Sequence, residues 1–273
     1  MRPAHSSWKA RLELGFRASA GRTILAHRRH VGPLVVQRPF YPEGGICHVY
    51  LLHPPGGIVG GDTVELQVQA DADSHALITT PAATKFYRAG PHPHSVLQQH
   101  LRVQDATLEW LPQETIVFDG ARARSCTRVD LGGDSRFIGW EIFCLGRPAV
   151  QERFTTGELH QDFLLYHDGQ PLLLDRLRLN GDSAALASGW GLSEAQAMGT
   201  LLMYPASVAD LAALRAVQVD GVRCALTRVG GVLHCRALGT QGEAIRRLFT
   251  ELWLQLRHAL LGHVALAPRI WAT

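Results

Sequence analysis

The sequence predicts a mainly β protein whose few α-helices lie toward its C-terminus, and three observations carry that prediction. Between Trp8 and about Leu179, apolar residues recur at every second position in short runs closed by Gly, Pro or Asp, which is strand periodicity. The 27 glycines and 14 prolines are spread along all 273 residues rather than gathered in a linker, as corners between many short strands require. Helical spacing is strong only late, over Gly242–Leu261.

Leu12, Leu14 and Phe16 alternate with polar neighbours and mark a half-buried strand; Val64, Leu66 and Val68 mark another, and Ile138, Trp140, Ile142 and Cys144 share one face of a third. Leu159–His167 and Pro171–Leu179 read as a hairpin across Asp168-Gly169, and Val222–Arg228 and Val232–Leu238 as a second across Gly230-Gly231. Both turns offer the positive φ that a two-residue hairpin needs. Ser207 reads as the N-cap of a short helix from Asp210 to about Val217. In Gly242–Leu261 an apolar stripe of Ile245, Leu248, Phe249, Leu252, Leu256 and Leu260 packs on the sheet, while Arg246, Arg247, Glu251, Gln255 and Arg257 take the other side. No linker or fixed-period repeat divides the chain, so one domain is expected over 1–273: β-rich at 8–180, mixed hairpin and helices at 190–265, and a C-terminal tail at 266–273.

The balance of 46% hydrophobic and 19% charged residues describes a soluble, packed protein. With 27 basic against 24 acidic residues the formal charge is +3, too even for nucleic-acid binding through backbone phosphates. All but two of the basic residues are arginine, the exceptions being Lys9 and Lys85. Cys47, Cys126, Cys144, Cys224 and Cys235 are odd in number and contain no C-x-x-C pair, which fits a reduced cytoplasmic setting and argues against disulfides or a zinc knuckle. No apolar run suggests a signal peptide or a membrane span.

The segment HPPGGIVGGD, His53 to Asp62, raises the phosphate question and fails it. No Lys-Ser/Thr pair follows, and what does follow is a strand, so its glycines read as tight bends or close backbone packing. His92 and His94 lie in a Pro-flanked loop and, with His100, read as solvated rather than ligating. Asp62, Glu65, Glu109, Glu114, Asp119 and Glu141 lie within or beside apolar strands, where a carboxylate must be paired, face solvent or line a wet cavity. No nucleophile elbow exists; paired carboxylates leave a carbohydrate-active enzyme open, but an interaction protein is the better default.

HPPGGIVGGD, TTPAATKFYR (Thr79 to Arg88) and LEWLPQETIVFDGA (Leu108 to Ala121), followed by IGWEIFCLGR, DRLRL, GTLL and the terminal PRIWAT, closely resemble the UreD (UreH) family of urease accessory proteins over essentially the whole chain. The resemblance implies strands wound into a superhelical, β-helix-like stack. It also implies a non-catalytic scaffold that, with UreF and the GTPase UreG, docks on apo-urease and supports GTP-dependent nickel insertion, UreE being the nickel donor. GTP would then be bound by UreG and no cofactor held stably by this chain. The six carboxylates become candidate stations for nickel in transit, since oxygen ligands without a closed cage hold and release a borderline cation. Lys85, inside a signature block, becomes a candidate interior charge partner for one of them.

Overall fold

The computed structural model describes residues 7–207 and 211–272. The chain enters through a hairpin, β1 (Lys9–Ser19) and β2 (Arg22–Val31), followed by β3 (Val35–Val36) and β4 (Cys47–Leu52). It then winds. A first coil lays down β5 (Thr63–Ala70), β6 (His75–Thr79) and β7 (Thr84–Phe86), and a second β8 (Ser95–Gln104), β9 (Thr107–Leu111) and β10 (Thr115–Val117). A third lays down β11 (Arg122–Gly132), β12 (Arg136–Arg147) and the short β13 (Glu152–Arg153). The hairpin β14 (Glu158–His167) and β15 (Gln170–Asn180) follows, then β16 (Ala197–Tyr204), a single helical turn α1 (Leu211–Arg215), the hairpin β17 (Val222–Val229) and β18 (Val232–Gly239), and the long helix α2 (Gly242–Leu261).

Successive coils stack in parallel register: Val64 pairs with Leu97, Ser125 with Leu97, Ala76 with Leu108 and Thr84 with Thr115. The result is a β-solenoid stack flanked by antiparallel hairpins. One sheet has the order β15-β14-β11-β8-β5-β1-β2; the other runs β17-β18-β16-β12-β9-β6-β4-β3, and β7 and β10 form a short third side.

Two apolar layers result. Between the sheets lie Leu12, Leu14, Phe16, Leu66, Val68, Leu101, Val129, Phe137 and Phe163. Each such side chain, fully buried, contributes roughly 1.5–3 kcal/mol. The outer face of the second sheet is covered by α2 through Ile245, Leu248, Phe249, Leu252, Trp253 and Leu256. The strand expected to be half-buried therefore differs from expectation: β12 is buried on both faces, with Phe137, Phe143 and Leu145 between the sheets and Ile138, Trp140 and Ile142 under the helix.

Both expected hairpin turns form, with φ of 46° and 76° at Asp168-Gly169 and 55° and 85° at Gly230-Gly231. A third such turn, Ala20-Gly21 (47° and 77°), has no signature in the sequence because Ala is not a residue that announces positive φ. The Ser207 cap and the start at Asp210 involve residues 208–210, which lie outside the described residues. Arg257, assigned to the polar side of α2, is fully buried. The tail is docked rather than loose: the Trp271 indole donates to Thr79 Oγ1 at 2.9 Å and packs on Trp140 and Trp253. Close packing also explains part of the glycine-rich loop, since a Cβ on Gly57 would strike the Tyr87 ring and one on Gly60 the His92 side chain and Ala89 backbone. No helix among the described residues is long and apolar enough to cross a membrane.

Candidate functional site

On four neighbouring strands of the first sheet the inward stripe is broken by polar residues: Gln99 between Leu97 and Leu101, Thr127 before Val129, Gln161 between Leu159 and Phe163, and Asp175 before Leu177. The second sheet answers with one rung of three strands, Glu141 paired in register with Thr200 and Thr200 with Arg236. Polar side chains at these heights cross an otherwise apolar interior, and burial demands that they satisfy one another.

Glu141 is the centre of this belt. Its Oε1 meets the Thr127 hydroxyl, and its Oε2 accepts from Gln161 Nε2 at 3.0 Å. No described cation forms an ion pair with it. Burial pushes its pKa up to about 7, against the hydrogen bonds from Thr127 and Gln161, with the charges of Asp175 and Asp162 adding to the rise. The Thr127 hydroxyl also lies 2.6 Å from Gln99 Oε1. A hydroxyl has one proton, so the order of the chain follows the state of Glu141. Protonated, Glu141 donates to Thr127, which donates to Gln99. Ionised, it accepts from Thr127, and Gln99 presents its amide N–H instead.

Two cavities flank the belt. One, of about 420 Å³, is lined by Glu141, Gln161, Asp175, Thr200 and Arg236. The other, of about 350 Å³, is lined by Gln99, Lys85, His53, Gly56 and Thr84. Gln99, Thr127 and Glu141 thus form a continuous hydrogen-bonded link from one cavity to the other. In the first cavity Asp175 accepts from Thr200 Oγ1 at 2.8 Å, pairs with Arg236 and lies 3.8 Å from His234 Nε2. Burial raises its pKa, but these partners outweigh burial and hold it below the ordinary carboxylate value. In the second, burial lowers the His53 pKa against the pull of Asp62, which favours a neutral imidazole.

The sequence-derived candidates divide sharply. Of the six carboxylates only Glu141 belongs to the belt. Asp62 closes a turn, accepting from the backbone N–H of Trp8 (3.2 Å) and Val59 (3.3 Å). Asp119 clasps the backbone N–H groups of Thr155 and Thr156, each at 2.8 Å. Glu65 stands on the outer face of β5 in register with Arg11 and Gln98, away from the cavities. Glu114 lies 3.8 Å from Arg246 at the start of α2. Glu109 is fully buried on the helix side of β9, held by Arg257, His75 and Trp253. Lys85 lines the second cavity but pairs with no described carboxylate, so the expected charge partnership is not formed. The histidines expected to be solvated are not simply so: His94, in the loop before β8, meets Glu158 at 2.8 Å, and His100, on β8, meets Asp130 at 2.5 Å.

Sequence reasoning missed Gln99, Thr127, Gln161 and Asp175. Their signal was present: each is a polar residue at an inward position of an alternating stripe.

A family model described as UreD urease accessory protein matches residues 9–272. Relatives bearing the name urease accessory protein UreD include one from Dechloromonas aromatica (46% identical, covering 99% of this chain and 97% of the relative) and one from Marinobacter nauticus (47%, covering 97% and 93%). A third, from Klebsiella aerogenes, is 42% identical and covers 99% of both chains. With the family model spanning nearly every described residue, and relatives above 40% identity aligned almost end to end, this chain belongs to the UreD family of urease accessory proteins.

Proposed function

We propose that this chain is a non-catalytic scaffold of urease maturation in the cytoplasm, which with UreF and the GTPase UreG docks on apo-urease and gives nickel a sheltered passage to the urease centre. The family supplies the accessory role in urease maturation. The observation that carries the passage is the Gln99–Thr127–Glu141 link between the two cavities. Oxygen donors spaced along such a track bind a borderline cation weakly enough to release it. Glu141, able to exchange a proton for a metal ion near neutral pH, is its central station.

The test is reconstitution with apo-urease, UreF, UreG, GTP, bicarbonate and nickel, reading nickel per urease and co-elution with UreF. Glu141→Gln should lower nickel occupancy at least several-fold while leaving the complex intact. Loss of the complex together with activation makes Glu141 structural, and unchanged occupancy removes the passage.

One cavity does hold acids with opposed pKa shifts, Glu141 and Asp175, which a two-carboxylate glycosidase would use. Thr200 and Arg236 already occupy the Asp175 carboxylate, which opposes a nucleophilic role. Glycan turnover by the isolated chain would reverse this preference.

A further inference from the structure

On the outer face of the first sheet, His94, Glu158 and His160 each offer a ligand atom, and these atoms all lie within 4.8 Å of one another. The parallel register is the reason. Arg122 pairs with Glu158 and Arg124 with His160, while Ala123 pairs with Ser95, so the residue before Ser95 stands across β11 from Glu158. His94 and Glu158 therefore reach toward each other over the middle strand, and their 2.8 Å contact shows that they meet. The His94 and His160 rings are 5.5 Å apart, centre to centre.

We infer that His94, Glu158 and His160 form a surface site for a borderline divalent transition-metal cation of the Ni(II) or Zn(II) class. Two imidazoles and one carboxylate suit that class and give a hard cation such as Mg(II) a poor site. With metal–ligand bonds near 2.0–2.2 Å, donors around one ion sit roughly 3–4 Å apart, so the present spacing closes by side-chain rotation. Arg122 Nε lies 3.3 Å from Glu158 Oε1 as an ion pair, while Glu158 Oε2 faces His94. Arg178 and Arg124 place guanidinium charges close to His160. The same arginine charges weaken attraction for a cation, making the site one of reversible capture. All three residues are part-exposed, so an ion reaches it without crossing the fold. The site is separate from the interior belt: His160 and Gln161 are adjacent on β14 and point to opposite faces of the sheet.

Equilibrium dialysis of the untagged full chain against Ni(II), and separately Zn(II), tests this, with X-ray absorption of the bound metal. The wild type and Glu141→Gln should share a bound equivalent showing imidazole scattering, which His94→Gln/His160→Gln should lose and Glu158→Gln should weaken at least tenfold. Melting temperatures establish that each variant is folded, and Glu158→Gln tests the site should the double variant not fold. No binding by the wild type, or unchanged stoichiometry and imidazole scattering in the folded double variant, would overturn the inference; so would wild-type affinity in Glu158→Gln. Loss of the equivalent in Glu141→Gln alone would assign it to the interior instead.

Discussion

Arg257 Nε lies 3.0 Å from Glu109 Oε2, and neither side chain reaches solvent, although the two are 148 positions apart in the sequence. The guanidinium also pairs with Glu43 and donates to the Val264 carbonyl at 2.9 Å, while His75 and Trp253 complete the shell of Glu109 at 2.6 and 2.7 Å. One arginine thus ties α2 to β9, to the loop before β4 and to the segment that follows the helix. Its planar fork, which lysine lacks, is what allows this many partners.

Arg257→Met should destabilise the protein by about 3–5 kcal/mol, because two carboxylates lose their buried cation. Arg257→Lys should recover only part of that. Denaturant titration measures both. Burial raises the pKa of Glu109 and of Glu43, but His75, His48 and Arg257 outweigh it and hold both below the ordinary value of 4.5. Their stabilisation is therefore complete above about pH 4.5 and lost as pH falls through the lowered folded-state values. The acid limb of the wild-type stability curve should be correspondingly steep, and that of Arg257→Met shallower.

Glu141 works in the opposite direction. Its folded pKa is raised from 4.5 to about 7, so the folded state binds the proton more tightly and stability falls as pH rises between those values. Glu141→Gln should therefore be stabilised by up to about 3 kcal/mol at pH 8 and by nothing at pH 4, since each tenfold change in proton affinity is worth about 1.36 kcal/mol. Thermal melts across that range test it. A gain in stability accompanied by a loss of nickel delivery would mark a site that gives up stability for its task.

Thr127→Val keeps the shape of the side chain and removes the hydroxyl joining Glu141 to Gln99. Loss of a hydrogen bond that favours the ionised carboxylate should raise the Glu141 pKa above 7 and lower nickel transfer without disturbing partner binding. Carboxyl infrared titration, compared with Thr127→Ser, which restores the hydroxyl, reads the change directly.

Trp271→Ala should cost about 2–4 kcal/mol, since it empties the space against Trp140 and Trp253 and frees Thr79 Oγ1 of its indole donor. The near-ultraviolet circular dichroism of the indole cluster should collapse with it, whereas substitution of the exposed Trp190 should leave that signal and the stability unchanged.

The sequence by itself determined that the chain is β-rich, where two of its hairpins turn and which helix is long, because alternation, turn chemistry and helical spacing are local properties. It also carried the family resemblance. It could not separate Glu109 from Glu141. Both sit in strands that are apolar on either side of them, so alternation does not say which face meets which neighbour. The register of β9 with β12, Glu109 beside Ile138 and Trp110 beside Gly139, decides it. Glu109 shares the helix-facing side with Ile138 and Trp140, whereas Glu141 faces the space between the sheets. One acid is thereby neutralised by Arg257 and the other left in a polar belt with its pKa raised to about 7. The same holds for Asp62 and Asp119, whose backbone partners are set by loop closure rather than by their sequence neighbours alone. Burial and charge pairing are properties of the stacked coils, and only the tertiary structure assigns them.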